Sequence, residues 1–409
     1  MSDVTSVVVI GGGLAGAKTV EALREKGYAG ALTLIGDEPH LPYERPPLSK
    51  DYLQGKAERS SVFVHDEQWY ADHDVALLRG SRATAIHRAS RTVALAGGTE
   101  LPYDRLVLAT GSSPRTLDVA GSELDGLHYL RNLEDSDRLR DVLDVVQRIV
   151  VVGGGWIGLE VAAAARMAGI DVTLVEQAPL PLAGVLGPEV APILAEVHRG
   201  HGVDLRTGVG VAALTGDDGR VVAVQLDDGT AVAAEAVVVG VGITPNVQLA
   251  SDAGLDVDNG VLVDEHLRTS DPDIYAVGDV ANAWHPLLGR RIRVEHWATA
   301  LNQPPVAAAG VLGEDASYER SPYFFSDQYD LGLEYTGYAA PGSYDGVVIR
   351  GDRSKPELIA FWTAQGVVQA GMNVNVWDVT DDIKALIASR TPIDPNRLAD
   401  PTIPLKDLL

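Results

Sequence analysis

Val7-Val8-Val9-Ile10-Gly11-Gly12-Gly13-Leu14-Ala15-Gly16 stands near the amino terminus, and Ile149-Val150-Val151-Val152-Gly153-Gly154-Gly155-Trp156-Ile157-Gly158 repeats it 142 residues later. Each copy reads as a short apolar strand, a glycine turn and a helix, at about 15–26 and 157–168. A second apolar strand follows each helix and ends in an acid: Asp37, 21 residues beyond Gly16, and Glu176, 18 residues beyond Gly158. A continuous apolar run suits a strand buried on both faces of a parallel sheet. In such a turn the first glycine (Gly11, Gly153) permits the sharp reversal. The second (Gly13, Gly155) lets a pyrophosphate approach the backbone, and the third (Gly16, Gly158) lets helix and strand pack closely. The helix starts at Ala15 and at Trp156-Ile157 then turn their positive ends to the phosphates. A carboxylate at Asp37 or Glu176 accepts hydrogen bonds from ribose hydroxyls. At Glu176 it also repels a 2′-phosphate, and no Lys or Arg occurs from 177 to 198, so NAD is expected over NADP.

Two dinucleotide sites in one chain suggest that electrons pass between two cofactors. The chain has 409 residues, 46% of them hydrophobic, enough for two or three domains with real cores. It contains no cysteine, which excludes a redox-active disulfide, thiolate metal sites and a thiolate-held cluster. Its net charge of −24 argues against a general nucleic-acid or anionic-membrane surface. No run of eighteen apolar residues occurs and the first strand follows five residues in, so neither a membrane span nor a secretory signal is expected. A cytoplasmic protein is the expectation.

Residues 75–108 read as short strands, with Gly97-Gly98 as a hairpin turn. Asp217-Asp218-Gly219 and Asp227-Asp228-Gly229 mark two more hairpins within 203–239. Each motif domain is therefore expected to carry an antiparallel insertion, left by the strands that run into Ala109-Thr110-Gly111 and Gly242. After residue 320, segments 347–350, 358–362 and 367–373 read as antiparallel strands. Thr380 then caps a helix over 381–389, and a proline-rich tail is expected to be extended. The fold class is α/β: two Rossmann-like dinucleotide-binding domains plus a C-terminal α+β domain.

Five strings, taken together, are more specific than either glycine turn. They are Asp37-Glu38-Pro39-His40-Leu41-Pro42-Tyr43-Glu44-Arg45-Pro46-Pro47-Leu48-Ser49-Lys50, Ala109-Thr110-Gly111-Ser112, the stretch from Thr269 to Gly278-Asp279, Glu295-His296-Trp297, and Phe324-Phe325-Ser326-Asp327-Gln328-Tyr329. With them, almost the whole chain resembles the FAD- and NADH-dependent ferredoxin reductases of bacterial oxygenase systems, the putidaredoxin-reductase-like branch of the glutathione reductase fold superfamily. The resemblance implies an FAD-binding domain from residues 1–113 and 245–320, an NAD-binding domain over 114–244 and a C-terminal domain over 321–409. By the same resemblance, Asp37 holds the adenosine ribose and Ala83 meets the adenine through its backbone. Arg45 and Lys50 lie along the flavin, Arg131 lies near the cofactor, and Asp279 meets the ribityl chain. The backbone around Trp297 meets the pyrimidine edge, with a helix over 298–312 turning its positive end there. Pro304 and Pro305 leave the early turns of that helix open: they mark its start or bend it. Glu160 is the partner of Lys50.

The activity so implied is hydride transfer from NADH to FAD, then single electrons to a [2Fe–2S] ferredoxin that feeds a haem monooxygenase or ring-hydroxylating dioxygenase. Such transfer needs orientation more than acid–base groups, and no catalytic triad is evident. Ferredoxins of this kind are acidic, so docking on an acidic reductase needs a local basic patch. Arg290, Arg291 and Arg293 form the densest basic cluster, with Phe325 a second candidate for the partner surface or, equally, for the core. Leu180-Pro181-Leu182-Ala183 departs from the arginine that relatives carry toward NAD. His198 and His201, at helical spacing, are expected on a surface helix, with no third metal ligand evident. Two alternatives stand beside this reading. One is a rubredoxin reductase. The other is a redox-sensing NADH-binding flavoprotein similar to apoptosis-inducing factor, against which the missing basic face and targeting segment count.

Overall fold

The strand Ser6–Ile10 lies at the centre of a five-stranded parallel sheet. Ala31–Ile35 and then Val75–Leu78 flank it on one side, and Arg105–Leu108 and then Ile274–Ala276 on the other. Val7, Val8, Val9 and Ile10 are all buried, as strands covered on both faces require. The chain order reverses beside Ser6–Ile10, which makes the end of that strand the switch point where open α/β sheets take their ligands. Three antiparallel strands, Ala83–His87, Thr92–Leu95 and Glu100–Pro102, form the insertion, and Gly97 and Gly98 make its turn at positive φ. These elements belong to the first of two compact units, 1–45 with 58–113 and 243–320. The computed structural model describes residues 4–353 and 355–409.

The second unit comprises 46–57, 114–242 and 321–409. Its parallel sheet runs Asp204–Thr207, Asp171–Glu176, Arg148–Val152, Ala236–Val239, Leu127–Tyr129. The repeat extends to the elements themselves: Ser6–Ile10 corresponds to Arg148–Val152, and the helix Leu14–Glu25 to the helix Trp156–Met167, each 142 positions on. Val211–Asp217, Arg220–Leu226 and Ala231–Ala233 form the antiparallel insertion. Asp218 and Gly219 both take positive φ in the first hairpin, the backbone such a two-residue turn demands. Asp204–Thr207 is not part of that insertion. It pairs parallel to Asp171–Glu176, because the helix Ala183–Gly200 before it supplies a crossover.

The carboxy-terminal region is a five-stranded antiparallel sheet, ordered Tyr323–Gln328, Leu331–Gly337, Val367–Val374, Glu357–Ala364, Gly346–Asp352. The first two strands escape a periodicity reading, since Tyr323–Gln328 mixes aromatic and polar side chains and both of its buried C-terminal positions, Ser326 and Gln328, are polar. The expected cap at Thr380 is not made. The helix Thr380–Ser389 has Val379 at its N-cap, and the Thr380 hydroxyl instead donates to Glu334 at 2.9 Å. Nor is the tail wholly extended. Asp394 caps a short helix, Pro395–Ala399, whose first position tolerates proline because its N–H would go unused. Among the described residues no helix is long and apolar enough to cross a membrane.

Candidate cofactor sites

Both glycine turns are built alike. The Gly11 N–H donates to Ile35 and the Gly153 N–H to Val175, each at 2.8 Å, which ties the turn to the strand end that carries the acid. A methyl group on Gly16 would stand 1.9 Å from the Gly11 carbonyl oxygen, and one on Gly158 would stand 2.0 Å from that of Gly153. The third glycine is thus a packing requirement. The second is different: nothing lies within 4 Å of a methyl placed on Gly13, and only the Gly240 oxygen, at 4.0 Å, near one on Gly155. Both residues are helix N-caps with extended backbone and no side chain to take the first N–H groups. Open space beside an uncapped helix end is the donor set a pyrophosphate needs, so both turns fit one.

Other residues of the first unit converge on its turn. A methyl on Gly11 would meet the Ala109 oxygen at 2.0 Å, and one on Gly278 would meet Ala15 at 3.0 Å. The Gly278 N–H donates to the buried Gln303 side chain at 2.8 Å, which fastens the Gly278-Asp279 turn to the helix Trp297–Val311. Asp279 accepts from Arg293 through its carbonyl. That helix contains Pro304 and Pro305 in its interior, so they neither start it nor end it. Its N-cap is His296, whose Nδ1 accepts from the Ala298 N–H at 3.3 Å. Thr110, before Gly111, exchanges two 2.8 Å hydrogen bonds with Asn246. Nothing in the sequence marks Gln303 or Asn246, because a lone amide has no periodicity.

The string from Asp37 onward is cross-linked to its surroundings. Glu38 accepts from Tyr43 and, at 3.0 Å, from Arg45, and Glu44 accepts from the Trp297 indole at 3.1 Å. Asp37 is largely exposed at the strand end, 3.3 Å from a still more exposed Arg82, a pairing worth little by itself. Ala83 begins the strand after Arg82 and is buried.

In the second unit, Glu176 accepts from the Gly154 N–H at 2.6 Å and the Ala178 N–H at 2.7 Å. The carboxylate is therefore clamped beside the glycine turn, where a ribose would present its hydroxyls. The stretch Leu180–Ala183 folds over the same turn: Leu182 donates to Gly154 at 3.1 Å, and a methyl on Gly154 would touch Pro181. Gly242 takes positive φ and accepts from the Arg115 N–H at 2.9 Å. Arg131, after the strand Leu127–Tyr129, donates its backbone N–H to Asp135.

Lys50 and Glu160 meet. Lys50 Nζ lies 2.8 Å from Glu160 Oε1, and the pair is buried, with 14% and 3% of the side chains exposed. Ser326 donates to the same oxygen at 2.7 Å, and Ser49 donates to the other. The half-buried Phe325 ring has Lys50 Nζ 5.3 Å from its centre. His198 is not a surface residue: it is fully buried, hydrogen-bonded to Gln328 at 2.8 Å, and burial pushes its pKa down to about 4. Only His201 is exposed; the helix turns His198 inward onto the strand Tyr323–Gln328. Among the described residues no three His, Cys, Asp or Glu gather as metal ligands. Of the three clustered arginines, Arg291 donates to the Val263 and Asn282 carbonyls, and Arg293 is held by Glu295 and Asn259. Arg290 stands exposed on the same hairpin as exposed Trp284 and Leu287.

Residues 5–303 match the family model of the pyridine nucleotide-disulphide oxidoreductases, and residues 323–409 match that of the reductase C-terminal domain. The chain is 41% identical to putidaredoxin reductase CamA of Pseudomonas putida, covering 99% of this chain and 96% of that one. It is 42% identical to the ferredoxin–NAD(+) reductase component of the anthranilate 1,2-dioxygenase system of Burkholderia cepacia, covering 98% of each. Rubredoxin–NAD(+) reductase of Pseudomonas putida is 36% identical, over 86% of this chain and 91% of that one. Among solved structures, the reductase in the covalent putidaredoxin reductase–putidaredoxin complex superposes with a TM-score of 0.95 at 41% identity, covering 98% of this chain and 97% of that one.

Proposed function

The chain belongs to the pyridine nucleotide-disulphide oxidoreductase family, and from that premise we propose that it is an NADH-dependent flavoprotein ferredoxin reductase. The observation that carries this reading is the pair of open glycine turns, each beside its own acid, in a chain with no cysteine. Members of this family that reduce disulfides need a cysteine in the flavin site; this chain, which has none, must pass its electrons to another protein. Bound FAD supplies the chemistry that takes a hydride and releases single electrons.

The chain's own residues bind and orient. Gly11, Gly13, Ala15 and Gly16 hold the FAD pyrophosphate, Asp37 its ribose, and Ala83 its adenine. Ala109, Thr110, Gly111, Gly278, Asp279, Arg45, Arg131 and the helix start at Trp297 complete that site. Gly153, Gly155, Trp156, Ile157, Gly158 and Gly242 hold NADH, and Glu176 selects it over NADPH. Lys50, held by Glu160, would lie along the flavin, as the family resemblance implies. The residues divide into an FAD domain (1–113 and 245–320), an NAD domain (114–244) and a C-terminal domain (321–409), working in the cytoplasm. The acceptor is a [2Fe–2S] ferredoxin serving an oxygenase, and the hairpin bearing Arg290, Trp284 and Leu287 suits it, with a cation beside apolar area. The names of the two most similar relatives reported above support the acceptor class.

The test is NADH-driven cytochrome c reduction by the FAD-loaded protein, alone and with added [2Fe–2S] ferredoxin or rubredoxin. Strong stimulation by the ferredoxin is expected. Stimulation by rubredoxin alone would replace the acceptor, and flavin reduction that neither carrier relieves would favour the sensing role.

A further inference from the structure

Behind the Lys50–Glu160 pair runs a buried line of polar side chains that binding and orientation do not use. Ser326 donates to Glu160 at 2.7 Å, Gln328 donates to Ser326 at 3.1 Å, Gln328 meets His198 Nε2 at 2.8 Å, and Tyr329 meets His198 Nδ1 at 3.2 Å. Glu160, Ser326, Gln328 and His198 are all at most 4% exposed. Ser326 and Gln328 share one face of their strand because they are two residues apart. Tyr329 turns at a φ of 59°, a left-handed conformation that an aromatic residue rarely takes.

The direction of every bond follows from the carboxylate. Glu160 only accepts, so the single Ser326 proton goes to it. The Ser326 oxygen must then accept, which turns the Gln328 amide nitrogen toward it. The Gln328 oxygen is left facing His198, so the proton of the imidazole sits on Nε2. His198 is neutral, since burial holds its pKa near 4, and its Nδ1 therefore accepts from Tyr329. Burial also raises the pKa of the Tyr329 phenol, which keeps it a donor. Four dipoles thus point the same way, at Glu160, and such chains strengthen link by link.

We infer that Ser326, Gln328 and His198 are positioning residues for hydride transfer, a polarised chain that holds the Glu160 carboxylate in place and, through it, aims Lys50. An apolar core of the same shape would hold the fold at least as well, because buried polar groups contribute little net stability even when satisfied. What apolar side chains cannot do is direct positive dipole ends at one oxygen. The inference rests on the reading that Lys50 faces the flavin.

The experiment uses FAD-loaded full-length protein in wild-type, Ser326→Ala, Gln328→Met and Glu160→Gln forms, with each of the first two also combined with Glu160→Gln. The rate of flavin reduction by NADH is followed by stopped flow, and the His198 nitrogens by 15N NMR. Gln328→Met and Ser326→Ala are each expected to slow reduction about 3- to 10-fold, the range for one polarising hydrogen bond. In the Glu160→Gln background either change should do nearly nothing, which a merely structural role would not produce. His198 should show a protonated Nε2 and a bare Nδ1 from pH 5.5 to 8.5. Equal slowing with and without Glu160, or a His198 carrying its proton on Nδ1, would overturn the inference. If Glu160→Gln alone leaves the rate unchanged, the placement of Lys50 fails first, and the NMR result still decides the polarity of the chain.

Discussion

Two alanine substitutions three residues apart should fail in opposite ways. A methyl group on Gly158 would stand 2.0 Å from the Gly153 oxygen, whereas contacts under 3.0 Å essentially never occur. The helix Trp156–Met167 must therefore retreat by about 1 Å from the strand Arg148–Val152, an overpacking that costs about 1–3 kcal/mol. For a unit of this size that lowers the unfolding midpoint by roughly 3–10 °C. Gly155 has a φ of −78° and nothing closer than 4.0 Å to an added methyl. Gly155→Ala should leave the midpoint unchanged or raise it slightly, by the ~0.4–1 kcal/mol that a less flexible unfolded chain contributes. It should nevertheless weaken NADH at least ~10-fold, about 1.4 kcal/mol, because the methyl fills the space a pyrophosphate needs. Thermal unfolding and NADH titration of the FAD-loaded variants separate the two effects. A Gly155→Ala protein that binds NADH normally, or that is as destabilised as Gly158→Ala, would refute this account of the turn.

Three further outcomes follow from the geometry. Glu176→Gln should raise kcat/KM for NADPH relative to NADH about tenfold or more, since relieving 1.4 kcal/mol of repulsion suffices; steady-state kinetics with both nucleotides measures it. Lys50→Met strands the Glu160 carboxylate in a buried site and should destabilise the second unit by about 3–5 kcal/mol, read in urea, with part of the loss recovered in Lys50→Met/Glu160→Gln. His198 is neutral when folded, with a pKa lowered from 6.5 to about 4, so the unfolded chain binds the extra proton between those values. Stability should therefore fall as pH drops from about 6.5 toward 4, by up to about 3 kcal/mol, and this part of the slope should vanish in His198→Gln; unfolding midpoints across that range test it.

The amino-acid sequence by itself determined the paired nucleotide folds. Glycine at positions 16 and 158 is demanded by backbone contacts within one strand–turn–helix unit, and at 11 and 153 by the positive φ of the turn itself, so spacing alone reveals it. The acids Asp37 and Glu176 are legible for the same reason, being fixed to the turn by the next strand. Lys50 and Glu160 lie 110 positions apart, and their pairing was visible only through resemblance to a family. What the tertiary structure alone decided is which polar residues are buried together. His198 reads as a surface histidine on a helix, and Ser326 and Gln328 stand in a string that only the family resemblance marks. Their union with Glu160 joins three segments remote in sequence, each of whose periodicities is silent about the others. Local patterns record what one element must do to fold. A hydrogen bond between two elements leaves no period in either, and only their packing brings it into being.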